Sequence, residues 1–221
     1  GLACDLAALL DERDPVKPGP EGRDPDLRLR LDLLREAPGM AAGPPVDRGA
    51  LAAARAAARR WRRQIGASPA EKGGSEDAGM LTALAYPDRI AQRRPGGQGL
   101  FRLSGGGGAA LPPAEPLAAA DWLAVAALDG DRRQARIFLA APLQRADIET
   151  LFADRITSED RIAWEDRSEA VVARRQRRLG ALVLEDRPLS AAEPEPVRAA
   201  MLEGIRRLGL DALPWTPALQ Q

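Results

Sequence analysis

Histidine is absent from the 221-residue sequence, and cysteine occurs once, at Cys4. The first absence excludes Ser-His-Asp and Cys-His nucleophilic sites, imidazole general bases and His-ligated zinc. The second excludes an internal disulfide and any cysteine-only metal site, and it accords with a reducing compartment. Lysine is nearly absent too: of 32 cations only Lys17 and Lys72 are lysines. Neither stands in G-x-x-x-x-G-K-[ST], so the chain carries no P-loop of its own. Aromatics are 4%, which leaves the core to Leu, Ala and Val. No charge sign dominates, with 32 Lys+Arg against 32 Asp+Glu. That balance excludes a uniformly basic protein but not a local basic face. No apolar run reaches the ~20 residues of a membrane span, and the acidic N-terminus is unlike a signal peptide. The sequence starts without Met, inside an amphipathic stretch, and so reads as part of a longer chain.

What is present divides into a helical half and a strand-rich half. Leu2, Leu6, Leu9 and Leu10 repeat at helical spacing, and Asp14-Pro15 ends that helix. A second helix starts near Pro25 with Asp24 as its cap, carries Leu27, Leu31 and Leu34 on one face, and stops at Pro38-Gly39. Gly43-Pro44-Pro45 reads as a linker. Asp47 then caps an Ala-rich helix over 48–65, and residues 80–91 read as a short helix broken by Pro87. From about residue 97 strands are expected at 99–103, 122–128, 134–139, 161–165, 170–174 and 181–184, with a short helix at 147–152. Asp129-Gly130 is a hairpin signal. Five or six strands with one intervening helix suit a small barrel of the OB type. Pro194–Leu208 is a closing helix, and Leu213–Pro217 looks like the entry to a further element. The fold expectation is therefore α+β. A helical bundle over 1–94 is followed by an OB-like barrel over 97–190 and the start of a helical extension over 191–221.

Several constellations have an ordinary reading and a functional one. Gly105–Gly108 could cradle an anion, but no helix follows it, and a flexible strand connection explains it better. The acid pairs Glu159/Asp160 and Glu165/Asp166 are strand neighbours that point to opposite faces, which argues for solvated edges over a shared catalytic site. Cys4 reads as a small core residue. Two basic clusters say more. Arg59, Arg60, Arg62 and Arg63 flank Trp61, with no acid between Arg48 and Arg63. Arg174, Arg175, Arg177 and Arg178 lie together beside an expected strand. Rows of guanidinium groups bind phosphates without reading sequence, and Trp61 or Trp164 could stack a base. The alternative is a solvated arginine face over tryptophans that belong to the core.

The text of the chain is also recognisable. ACDLAALLDERDP at 3–15, DLRLRLDLLRE at 26–36, LTALAYPDRIAQRR at 81–94, LAAADWLAVAALDG at 117–130, EDRSEAVVARRQRRLGALVLEDRPL at 165–189 and MLEGIRRLGLDALPWT at 201–216 appear in order. Together they resemble the C-terminal region of bacterial HrpB-type ATP-dependent helicases, of the DEAH-box (DEAH/RHA) group of superfamily 2. In such helicases two RecA-like domains carry the ATP site, and a winged helix, a ratchet-like bundle, an OB-like barrel and an extension follow. The resemblance implies an accessory region without a catalytic, cofactor or metal site of its own, ATP and magnesium acting in the parent chain. It implies single-stranded RNA or DNA and the RecA-like and winged-helix domains as partners, no membrane, and a cytoplasmic setting. Charge alone nominates Arg59, Arg60, Arg63, Arg174, Arg175, Arg177 and Arg178 as the nucleic-acid contacts. The competing expectation is a docking module that never touches nucleic acid.

Overall fold

The structure is a computed structural model that describes residues 1–19, 22–35, 45–67, 73–131 and 133–209. It is mixed α+β and divides into two units, residues 1–154 with 180–182 and residues 155–179 with 183–221.

The first unit opens with helices α1 (Leu2–Asp11), α2 (Leu27–Arg35), α3 (Arg48–Ile65) and α4 (Ala78–Ala85). The helical spacing of Leu2, Leu6 and Leu9 and of Leu27, Leu31 and Leu34 turns both leucine stripes into one core. The buried face of α3 is all alanine: Ala50, Ala54, Ala57 and Ala58. Its start is set by Asp47, whose carboxylate accepts hydrogen bonds from the Gly49 and Ala50 amides. Its end is set by Gly66, in the left-handed conformation at φ 65° that glycine tolerates. At the entry to α2 the carboxylate that holds the helix's own amide is Asp26, which accepts from the Arg28 N–H at 2.9 Å. Asp24, the expected cap, holds the Asp26 amide at 2.7 Å instead. The stops expected at Pro38-Gly39 and the entry at Leu213–Pro217 lie outside the described residues.

A closed five-stranded barrel follows, in the order β1 (Ile90–Arg93), β2 (Leu100–Leu103), β3 (Gly108–Ala110), β5 (Gln134–Pro142), β4 (Trp122–Leu128). β3 and β5 run parallel, and β4 closes on β1 with Gln92 opposite Trp122. β4 is buried on both faces. Val125 enters the barrel core with Phe101 and Leu123, while Ala126 joins the leucine core of the helices. On β5, Ala140 and Ala141 divide in the same way. That double burial explains why every residue of WLAVAAL is apolar, large and small side chains alternating between the two cores. Gly79 lets α4 lie against β5, because a Cβ there would stand 2.0 Å from the Pro142 carbonyl oxygen. Helix α5 (Arg145–Leu151) completes the unit.

The second unit is a three-stranded sheet, β6 (Ile156–Glu165), β7 (Ala170–Leu179) and β8 (Leu182–Pro188), with helix α6 (Pro194–Leu208) packed on it. β6 and β7 form one long hairpin, from Ile156 opposite Leu179 to Glu165 opposite Ala170. Gly204 brings α6 onto the indole of Trp164, where a Cβ would come within 2.2 Å of the ring.

The barrel thus differs from the sequence expectation at both ends. It begins at Ile90, inside the segment read as a helix over 80–91. Pro87 ends α4, a single 3-10 turn spans Pro87–Arg89, and the chain then straightens into β1. It closes by Pro142, and the strands expected at 161–165, 170–174 and 181–184 build the separate sheet.

Candidate nucleic-acid interface

The helical periodicity of α3 sends its cations in different directions, because neighbours on a helix point about 100° apart. Arg55 turns to the last described turn of α2 and donates to the carbonyl oxygens of Leu33 at 2.8 Å and Leu34 at 2.9 Å. Arg62 turns inward to Asp5, a carboxylate with only 2% exposure. Arg35 reaches the other Asp5 oxygen at 3.1 Å, so two guanidinium groups neutralise one buried acid. Arg59, Arg60 and Arg63 stay exposed and make no ion pair with a described residue. Trp61, half-buried among them, lines a cavity of about 400 Å³ with Leu6, Leu10, Thr82 and Tyr86.

The β7 arginines have a different setting. Arg175 faces Asp160 across the β6–β7 ladder and binds it through two hydrogen bonds, of 2.6 and 2.8 Å. Those hydrogen bonds hold the Asp160 carboxyl below its ordinary range and raise the Arg175 guanidinium above its own. Arg174 binds Asp186 at 2.6 Å, Arg177 approaches Glu185 at 3.5 Å and Arg178 approaches Glu159 at 3.3 Å. Gln176, buried between them, donates to Asp186 at 3.1 Å. Every cation of the run is therefore matched by a carboxylate of a neighbouring strand. The acids read as solvated edges, Glu159 and Asp160, are half of that set.

The other constellations fall into structural roles. Gly105–Gly107 turns the chain from β2 into β3, which begins at Gly108. Trp164 lies under α6 with its indole N–H buried and unpartnered. Cys4 is buried in α1. No cluster of three metal-binding side chains occurs among the described residues. No described helix is long and apolar enough to cross a membrane.

Two features escaped sequence reasoning. One is the cavity beside Trp61, whose walls come from α1, α3 and α4, three segments far apart in sequence. The other is a groove of about 540 Å³ where Leu9 and Pro25 meet Leu111 and the exposed Phe138, with the Arg136 guanidinium 5.8 Å from that ring. Phe138 on a strand carried the only signal, an outward aromatic in the alternation of QARIFLA.

Comparison with known proteins gives a consistent result. A family model described as the connector region of the ATP-dependent RNA helicase HrpB matches residues 155–189. The ATP-dependent RNA helicase HrpB of Escherichia coli (strain K12) is 32% identical over 155 residues, which is 68% of this chain and 19% of that protein. A crystal structure of the E. coli DExH-box NTPase HrpB superposes with a TM-score of 0.64 at 27% identity, covering 99% of this chain and 24% of that one. A second, of the Escherichia coli DEAH/RHA helicase HrpB, gives 0.62 at 24% identity over the same shares and supports the fold alone. The chain thus spans about a fifth to a quarter of the length of these relatives.

Proposed function

Starting from the C-terminal region of the HrpB-type helicases, which this chain resembles along its described length, we propose that it is a non-catalytic accessory region of an ATP-dependent RNA helicase. It holds a single strand through sequence-independent phosphate contacts while the parent's motor domains cycle. The observation that carries this reading is the α3 surface, where Arg59, Arg60 and Arg63 are exposed, uncompensated by any acid of the helix and beside Trp61. Permanently charged, forked guanidinium groups suit phosphate oxygens and are indifferent to base identity. Arg174, Arg175, Arg177 and Arg178 are weaker phosphate ligands, since a strand would have to displace four carboxylates to reach them. ATP and magnesium belong, in this reading, to RecA-like domains elsewhere in the parent. The residues described here offer neither a P-loop nor an acidic metal cluster, and no step of this chain runs through those groups. The setting is cytoplasmic, and the other partners are the RecA-like and winged-helix domains.

The docking reading keeps one specific observation in its favour: the neutralised sheet of β6–β8 shows no free cation row to offer a strand. Fluorescence-anisotropy titration of the 221-residue chain with labelled single-stranded RNA separates the two. Phosphate binding gives affinity that falls steeply with salt, by about 0.7 in logarithmic slope per phosphate contact. Absent or salt-insensitive binding would move docking ahead.

A further inference from the structure

We infer that the cavity between α1, α3 and α4 is a binding pocket for a single nucleobase, so that α3 holds a strand by a base as well as by its phosphates. The inference rests on the strand-binding reading above. The pocket has about 400 Å³, within the range of small-ligand sites and roomier than a packing defect. Leu6, Leu10 and other small apolar side chains supply most of its wall, and two of the chain's few aromatic rings, Trp61 and Tyr86, line it. An apolar slot bounded by indole and phenol suits a flat, weakly hydrated heterocycle, with stacking on its π-face. The polar groups at the slot suit the edge of such a ring. Asp11 is exposed and lines the pocket, and a carboxylate accepts hydrogen bonds from the exocyclic amine of adenine, guanine or cytosine. Thr82 borders the pocket at 2% exposure with its hydroxyl unpartnered. A buried hydroxyl without a partner is costly to keep, and helical threonine has two accessible χ1 wells, so a polar ligand can satisfy it. Arg60 and Arg63, one position before and two after Trp61 in α3, are exposed and put phosphate-binding charge on the same helix. Uracil, with no exocyclic amine, is the poorest ligand.

Mononucleotides test the pocket without a strand. Cytidine and uridine monophosphates, with ribose 5-phosphate as the base-free control, are titrated against tryptophan fluorescence. Wild type is compared with Trp61→Phe, which removes the reporter, and Ala7→Met, which fills the slot from α1. The expected result is quenching by the cytidine nucleotide, weaker quenching by uridine and none by ribose 5-phosphate. Quenching disappears in Trp61→Phe, and Ala7→Met abolishes binding while leaving the melting temperature unchanged or higher. With a strand, removing the bases weakens wild type by about 5- to 150-fold, the range of one stacked base. Thr82→Val is expected to bind cytidine nucleotide a few-fold more weakly while the fold becomes no less stable. Quenching that persists in Trp61→Phe, or equal affinity for abasic and normal strands, overturns the pocket. In that case salt-dependent strand binding would still stand by itself. Mononucleotide binding without strand binding would instead uphold the pocket and remove the strand. Competition by an apolar peptide with no response to nucleotides would make the slot a protein-docking site and overturn the inference.

Discussion

Two runs of four arginines, nearly identical on paper, meet opposite fates in the fold. On α3 the row is dispersed: Arg62 is drawn to buried Asp5, while Arg59, Arg60 and Arg63 remain exposed and pair with no carboxylate among the described residues. On β7 the row is matched, Arg174, Arg175, Arg177 and Arg178 each standing against an acid of β6 or β8. The cause is geometric. A helix surrounds its side chains with its own neighbours, and α3 has no acid to offer. A strand places its side chains beside those of another strand, so residues fifteen positions apart in sequence become cross-strand partners. Charge density along a chain is therefore a poor guide to free charge until the secondary structure is known.

The contrast can be broken most forcefully at its one buried anchor. Asp5→Ala strands Arg35 and Arg62 around an apolar hole and should cost about 2–4 kcal/mol, below the full penalty of a buried pair because both arginines are about 30% exposed. Urea unfolding followed by helical circular dichroism measures it; a cost under about 0.5 kcal/mol would mean that Asp5 does not anchor α3. Next is the support of the matched row. Gly204→Val drives a branched side chain into Trp164 and should cost about 1–3 kcal/mol, with the Trp164 emission shifting toward that of exposed indole. Unchanged emission and stability would contradict the packing of α6 on β6.

A smaller effect is expected from exchanging Arg175 and Asp160. Either single substitution, Arg175→Asp or Asp160→Arg, places like charges opposite each other, and the double exchange should recover most of the loss. A double variant no better than the worse single would show that the pair is incidental. The least effect is on acidification. Asp160 holds its proton less readily folded than unfolded, so its contribution is complete above the ordinary carboxylate range and fades as pH falls through its depressed value. An NMR titration of the Asp160 carboxyl in wild type and Arg175→Gln should show the midpoint rising in the variant; no rise would remove Arg175 as the cause.

Much of the helical half could be read from sequence because its signals are local. Leucine spacing, the Asp47 cap and Gly66 act within a turn or two, and α3 and α6 fall where they were expected. The barrel's limits could not, because strand membership depends on pairing. Ile90–Arg93 has four residues and pairs with β2 and β4, neither of which its own sequence reveals. The strands from Ile156 onward carry the same pattern whether they close a barrel or form a sheet of their own. At the candidate site the cations were visible but their partners were not. Asp5 lies 57 residues from Arg62, and the slot beside Trp61 exists only once three helices have packed.

The proposed division of labour gives the α3 row the main strand contacts and the carboxylate-matched β7 row the weaker ones. It is tested most directly by the salt dependence of single-stranded RNA binding for wild type, Arg59/Arg60/Arg63→Gln and Arg174/Arg175/Arg177/Arg178→Gln. The α3 variant is expected to lose about 2 units of logarithmic salt slope, three contacts at about 0.7 each, while the β7 variant keeps most of the wild-type slope. A β7 variant that loses its slope beside an α3 variant that keeps it would reverse that division.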